Sequence, residues 1–149
     1  MGVPNTYFCR ETLFYSLEGR KMELLTISSE DSMTEERETI PKGESKGMFP
    51  YTKDRPGRQR DCKRFHKEKP VIFLTSRVHP GETAGSFALN GLLDLITDVK
   101  NEQGRMLRQN YVFKVIPVLN PDGVSRGYYR LDTNAQNLNR YYLEPKKYE

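Results

Sequence analysis

Apolar residues along this chain come in a few blocks separated by polar ground, and their spacing differs from block to block. Thr12-Leu-Phe-Tyr-Ser-Leu17 and Met22-Glu-Leu-Leu-Thr-Ile27 are short runs of strand formers with Glu18-Gly19 between them. That pattern predicts a β-hairpin from Thr12 to Ser28. Residues 29–69 change character: Pro41, Pro50 and Pro56 punctuate a polar segment with few aliphatics. It offers too little apolar surface to offset its ordering entropy, so a long surface loop is expected. Val71-Ile-Phe-Leu74 then reads as a buried strand ending in a polar turn that holds His79 and Glu82. From Thr83 to Asp98 the period becomes helical. Phe87, Gly91, Leu92, Leu95, Ile96 and Val99 recur at three- and four-residue steps, and Thr83 is placed as the N-cap. Gly85 and Gly91 each weaken a helix by roughly 1 kcal/mol against alanine, which close packing on a sheet would explain.

A polar stretch and Met106-Leu107 lead to a second strand, Tyr111–Leu119, with Pro117 expected near its end because proline donates no backbone hydrogen bond. Asn120-Pro-Asp-Gly123 is a turn signal, and the chain beyond Val124 has no clear period. Strand, helix and strand in this order are long enough for a crossover, which makes the two strands parallel neighbours. The fold class is therefore α/β: a mixed sheet with flanking helices, opened by a hairpin. Open α/β sheets place their sites beyond the carboxyl ends of such strands.

Composition narrows the picture a little. At 149 residues, 36% hydrophobic and 30% charged, the chain is one domain or part of a larger one, with its core material in Val71–Val99 and Tyr111–Leu119. The net charge of +4 favours acidic partners weakly. Lys53, Arg55, Arg58, Arg60, Lys63, Arg64, Lys67 and Lys69 form a basic run, read as a solvated loop or as a contact for an acidic partner. Nucleic acid is disfavoured, because Tyr51 and Phe65 are too sparse to stack bases. Cys9 and Cys62 show no paired spacing, so a reducing cytosolic setting fits better than a disulfide framework. No signal-peptide pattern or long apolar run points to secretion or membrane spanning. Met1-Gly2-Val3-Pro4-Asn5-Thr6 matches the loose myristoylation pattern, although one acyl chain anchors weakly.

His79 and Glu82 flank Pro80-Gly81 just after a strand. A histidine nitrogen and a carboxylate oxygen from one short segment are half of a catalytic zinc site, which takes three protein ligands and keeps a position for water. A polar loop whose glutamate compensates a helix dipole accounts for the same residues. Arg130 and Arg140 lie beyond the second parallel strand, where they can converge on the side of His79. A guanidinium grips a carboxylate through two hydrogen bonds, or stabilises an oxyanion. Surface arginines in a tail are the plain alternative.

Taken together, His79-Pro-Gly-Glu82, Asn120-Pro-Asp-Gly-Val124, Tyr129-Arg130 and Asn137-Leu-Asn-Arg140 resemble the M14 zinc carboxypeptidases, and within them the cytosolic carboxypeptidases. Tyr7-Phe-x-Arg-Glu11, Tyr15-Ser-Leu-x-Gly19 and Leu24-Leu-Thr-Ile27 are similar to the same branch. The resemblance implies one zinc ion held by His79 and Glu82, an oxyanion stabilised by Arg130, and a substrate carboxylate held by Asn139 and Arg140. It implies a carboxypeptidase that removes carboxyl-terminal or branch-point glutamates from polyglutamylated tubulin and other acidic tails. Such an enzyme would act in the cytosol, at microtubules or in the nucleus. The family also needs a later histidine as third zinc ligand and a later glutamate as general base. His66 lies upstream in the basic run, and Glu144 and Glu149 follow Arg140 too closely. Residues 7–149 are therefore expected to be the amino-terminal half of an M14 catalytic domain carrying the 29–69 loop, with weak metal affinity and little hydrolysis of its own. A non-catalytic module that binds acidic carboxyl-terminal tails is the alternative.

Overall fold

The computed structural model describes residues 5–39, 59–65 and 68–142. Strands β1 (Tyr7–Tyr15) and β2 (Lys21–Ser28) form the expected hairpin, longer at its start than the sequence indicated. Gly19 supplies the positive φ of 77° in the connecting turn, a conformation open to glycine at little cost. β5 (Val71–Thr75), helix α1 (Ala84–Thr97), helix α2 (Glu102–Asn110) and β6 (Val112–Ile116) build the crossover. β5 and β6 run parallel, with Val71 opposite Val112 and Thr75 opposite Ile116. The sheet order is β1-β2-β6-β5, with β2 antiparallel to β6. Pro117 falls immediately after β6, where no ladder bond is required of it.

The two faces of this sheet are covered unequally. On one, Ile27, Phe113 and Val115 pack with Leu89 and Ile96 of α1, flanked by the partly buried Ile72, Leu74 and Leu107. On the other, Met22, Leu24 and Ile116 form a smaller cluster with Leu13 and Leu119. β6 is buried on both faces because it lies inside the sheet.

Several expectations need correction. β5 is an edge strand among the described residues rather than a buried one, and Val71 and Phe73 are 59% and 61% exposed. A continuous apolar run signals apolar surroundings on both faces but not whether a neighbouring strand lies beyond. The helix turns Leu89, Leu92, Leu93 and Ile96 inward, while Phe87 is 76% exposed. Apolar residues occupy more than one side of α1, so the period fits two rotations. Thr83 is the N-cap residue as expected, though without a side-chain capping bond, and a Cβ added at Gly91 would meet open space rather than a close neighbour.

The segment 29–69 is also more ordered than a loop. After a 3-10 turn at Glu30–Ser32, β3 (Met33–Thr39) pairs antiparallel with β4 (Gln59–Phe65). Cross-strand charge pairs join its strands, Lys63 with Glu35 at 2.8 Å and Arg64 with Glu36 at 2.9 Å, each a small contribution at this exposure, and Cys62 of β4 is fully buried. Phe65 meets Tyr7 edge-on at 5.4 Å between ring centroids, and the Lys63 amide donates to the Tyr7 hydroxyl at 2.8 Å, fixing the ribbon against β1. Residues 40–58, 66 and 67, with Lys53, Arg55, Arg58 and Lys67 of the basic run, lie outside the described residues.

Helix α2 gave no periodic signal, yet it is capped and anchored. The Asn101 side chain accepts from the Gly104 amide at 3.0 Å. Arg108, only 2% exposed, donates to the Ile96 and Asp98 carbonyls at 2.8 and 3.3 Å. A cation thus meets the carbonyls that end α1, where the helix dipole favours positive charge. Burial nevertheless pushes the Arg108 guanidinium pKa down.

Candidate active site

The loops leaving the two parallel strands are bound to one another. The Leu119 amide donates to the Ser76 carbonyl at 2.8 Å and the Asn120 amide to the Arg77 carbonyl at 3.1 Å. Arg77 has a positive φ of 59°, a sparsely populated conformation for a side-chain-bearing residue. Its guanidinium donates to the Pro80 carbonyl and to Ser86 Oγ, the latter at 2.9 Å. The turn is thereby closed onto the start of α1. At Gly81 a Cβ would stand 2.7 Å from the Tyr129 ring, and the Gly81 amide donates to the Tyr129 carbonyl at 2.8 Å. Only a glycine lets the two segments approach so closely.

Asn120-Pro-Asp-Gly123 does more than turn the chain. Pro121–Ser125 form a helical turn, α3, with Asn120 Oδ1 accepting from the Gly123 amide at 2.9 Å. A Cβ at Gly123 would lie 2.5 Å from Pro80, so α3 rests on the residue beside His79. Asp122 is buried and accepts from Ser16 Oγ at 2.6 Å, Arg20 at 2.9 Å and the Glu18 amide at 3.2 Å. Burial acts to raise its pKa, but the hydrogen bonds from Ser16, Arg20 and Glu18 outweigh it and hold the carboxyl below its usual range. The hairpin turn, α3 and the His79 loop are in this way one connected unit.

At its centre, His79 is 5% exposed and its Nδ1 lies 2.7 Å from Glu82 Oε1. Its Nε2 lies 3.0 Å from Asn137 Oδ1, an oxygen that also accepts the Asn139 amide at 3.2 Å. The Asn139 amide identifies that atom as the acceptor, so Nε2 carries the ring proton. Nδ1 then faces the Glu82 carboxylate at hydrogen-bond distance. The donor types fit a metal: a buried imidazole whose Nε2–H is fixed by an acceptor has Nδ1 as its metal-binding nitrogen, and the carboxylate oxygen beside it is a second donor of the kind zinc takes. Among the described residues, no group of three or more histidine, cysteine or acidic side chains is placed to hold a metal. The structure thus supplies two donors facing each other. His66, Glu144 and Glu149 lie outside the described residues.

The remaining candidates are gathered around this pair to different degrees. Asn139 is joined to it through Asn137. The Arg140 amide donates to the Asn137 carbonyl at 3.0 Å, and the exposed guanidinium turns back to the Asn139 carbonyl at 3.1 Å. Arg130 follows Tyr129, the partner of Gly81, and lines an open cavity of about 430 Å³ with Tyr128, Leu131 and Asp132. Asp132 Oδ1 accepts the Asn134 and Gln136 amides at 2.9 and 2.7 Å, which shapes the turn that delivers Asn137. Asn137 was quoted in the sequence motif without a role of its own. Its contact with His79 spans 58 positions and left no local signal.

The zinc carboxypeptidase model matches residues 10–145. This chain belongs to the zinc carboxypeptidase family. It is 49% identical over 144 residues to cytosolic carboxypeptidase-like protein 5 of Bos taurus, covering 96% of this chain and 15% of that protein. It is 37% identical over 139 residues to cytosolic carboxypeptidase 6 of Mus musculus, covering 93% of this chain and 20% of that protein. The chain therefore spans less than a quarter of the length of these relatives. A metallo-carboxypeptidase from Burkholderia cenocepacia shares the fold with a TM-score of 0.63 at 24% identity, over 97% of this chain and 30% of the other. Membership in the family implies zinc, and among the described residues His79 and Glu82 are a facing pair of donors of the kind zinc takes. No helix among the described residues is long and apolar enough to cross a membrane.

Proposed function

We propose that this chain contributes part of the active site of a cytosolic metallocarboxypeptidase that removes glutamates from polyglutamylated tubulin and other acidic protein tails. The observation that carries the reading is the 2.7 Å approach of His79 Nδ1 to Glu82 Oε1 with Nε2 held by Asn137. His79 and Glu82 hold the zinc, which when bound supplies a water of lowered pKa and a polarised carbonyl. Arg130, next in the chain to Tyr129, whose carbonyl accepts the Gly81 amide, stabilises the developing oxyanion. Asn139 and Arg140 take the substrate's terminal carboxylate, with the guanidinium giving up its weak internal bond to Asn139 for a charge-assisted one. The 49% identity to cytosolic carboxypeptidase-like protein 5 supports the carboxypeptidase activity and the cytosolic setting, while the glutamate specificity rests on the resemblance of the motifs alone.

A second reading, a module that grips acidic tails without cleaving them, draws on the two-donor site. Glutamate release from polyglutamylated tubulin, followed by mass spectrometry on the protein that carries this chain, separates the two. Zinc-dependent release that disappears in His79→Ala supports the hydrolase. Tail binding that needs Arg140 but yields no free glutamate supports the module.

A further inference from the structure

We propose that the crevice between the β3–β4 ribbon and the amino-terminal ends of β5 and β6 is a binding site for a small organic carboxylate, with the Lys69 ammonium as its counter-charge. The crevice holds about 180 Å³, with Phe65, Val71 and Val112 as apolar walls and Lys69, Lys114 and Glu38 as charged ones. It stands at the Val71 end of β5, whereas the His79 turn leaves the Thr75 end. Four residue steps separate those ends, roughly 13 Å at the rise of an extended strand, so the crevice is distinct from the candidate active site.

The charges lining it are compensated in all but one case. Lys114 is buried but bonds to Glu38 and, at 3.0 Å, to Thr26 Oγ1. Arg64, a third cation in the lining, is paired with Glu36 at 2.9 Å. Lys69 is 9% exposed, and its ammonium donates to the buried Ser29 Oγ at 2.9 Å and lies 5.7 Å from the Phe65 ring centre. Among the described residues no carboxylate is within ion-pair reach of it. Burial pushes the Lys69 pKa down, and the field of Asp31 offsets this only in part. A buried, uncompensated cation is costly unless a counter-charge joins it.

The lining also selects the ligand. One unmatched positive charge calls for a monoanion, and the Glu38 carboxylate disfavours a second negative charge. The apolar walls suit a short alkyl chain behind the headgroup. Inorganic phosphate matches neither feature, while a short carboxylic acid, free or at the end of a glutamyl side chain, matches both.

Lysine-resolved NMR of the 149-residue chain, titrated with butyrate, tests the site. A saturable shift of the Lys69 Cε signal is expected at millimolar butyrate, with butyramide and phosphate at least tenfold weaker. Lys69→Met should weaken butyrate at least tenfold. Val71→Trp, which fills the crevice from an exposed position, should do the same without disturbing a buried charge, and decides the matter if Lys69→Met does not fold. Circular dichroism verifies that each variant is folded. An acetylated glutamyl amide binding tighter than butyrate assigns the carboxylate to a peptide, and the reverse assigns it to a free acid. Absence of a saturable shift, equal binding of butyramide, or unchanged butyrate binding in a folded variant overturns the proposal.

Discussion

Asp122 offers the sharpest test of how the His79 loop is held. Replacing it with asparagine keeps the shape and removes the charge that gathers Ser16, Arg20 and the Glu18 amide. Asparagine keeps one acceptor oxygen for Ser16, a change from charged to neutral that costs about 1 kcal/mol, and sets an NH2 donor opposite the Glu18 amide, so that bond is lost at about 1 kcal/mol more. Arg20 is 36% exposed on its side chain, so its ion pair is screened and adds little. Relief from burying a charge offsets part of this sum, leaving Asp122→Asn less stable by about 2 kcal/mol at neutral pH. The pH dependence has a definite sign. The folded carboxyl titrates below its ordinary value, so its stabilisation is complete above the unfolded pKa of about 3.9 and is lost as pH falls through the folded one. Urea denaturation of both chains at a series of pH values should show a gap that is constant above about pH 5 and narrows in acid. A gap near zero at neutral pH, or one that does not change in acid, would refute the role given to Asp122.

Other expectations follow from single contacts. Asn137→Leu removes the acceptor that fixes the His79 ring and should weaken zinc binding by about 10- to 100-fold while leaving one binding site, as measured by chelator competition. Arg108→Ala leaves the Ile96 and Asp98 carbonyls without their donor and opens space beside them. A loss of about 2–4 kcal/mol in chemical denaturation is expected, and a loss below about 0.5 kcal/mol would count against the anchoring role. Phe73→Lys places a charge on the exposed edge strand β5. Light scattering should show less self-association, with unfolding stability changed by no more than about 0.5 kcal/mol.

What the sequence made legible and what it hid have the same physical origin. Hairpin, crossover helix and the two parallel strands carry their own periodicity, so Thr12–Ser28, Thr83–Asp98 and Tyr111–Leu119 were recognisable from spacing, with ends shifted by a few residues. The β3–β4 ribbon is hidden because its strands carry few apolar residues and no alternation, and its contacts, cross-strand ion pairs and the Phe65–Tyr7 packing, join distant positions. Helix α2 was hidden because its anchor, Arg108, reads as a surface residue until its carbonyl partners are known. Leu89 rather than Phe87 faces the sheet because the sheet, not the helix period, selects the rotation. At the candidate site, His79 and Glu82 were legible as a local pair three residues apart. Their support was not: Asn137, Asp122 and Tyr129 act across 40 or more positions, and spacing carries no record of such contacts. The arginines are recognisable by motif, yet both side chains are exposed; Arg140 reaches the pair through its own amide on Asn137, and Arg130 through the carbonyl of neighbouring Tyr129 on Gly81.

Zinc titration of the 149-residue chain against its histidine variants addresses the central claim, that His79 and Glu82 present a two-donor metal site. One equivalent of zinc should bind weakly, and His79→Ala and Glu82→Gln should each reduce the affinity at least tenfold. His66→Ala should leave it unchanged. Zinc binding that survives His79→Ala, or that is lost in His66→Ala, would contradict the account.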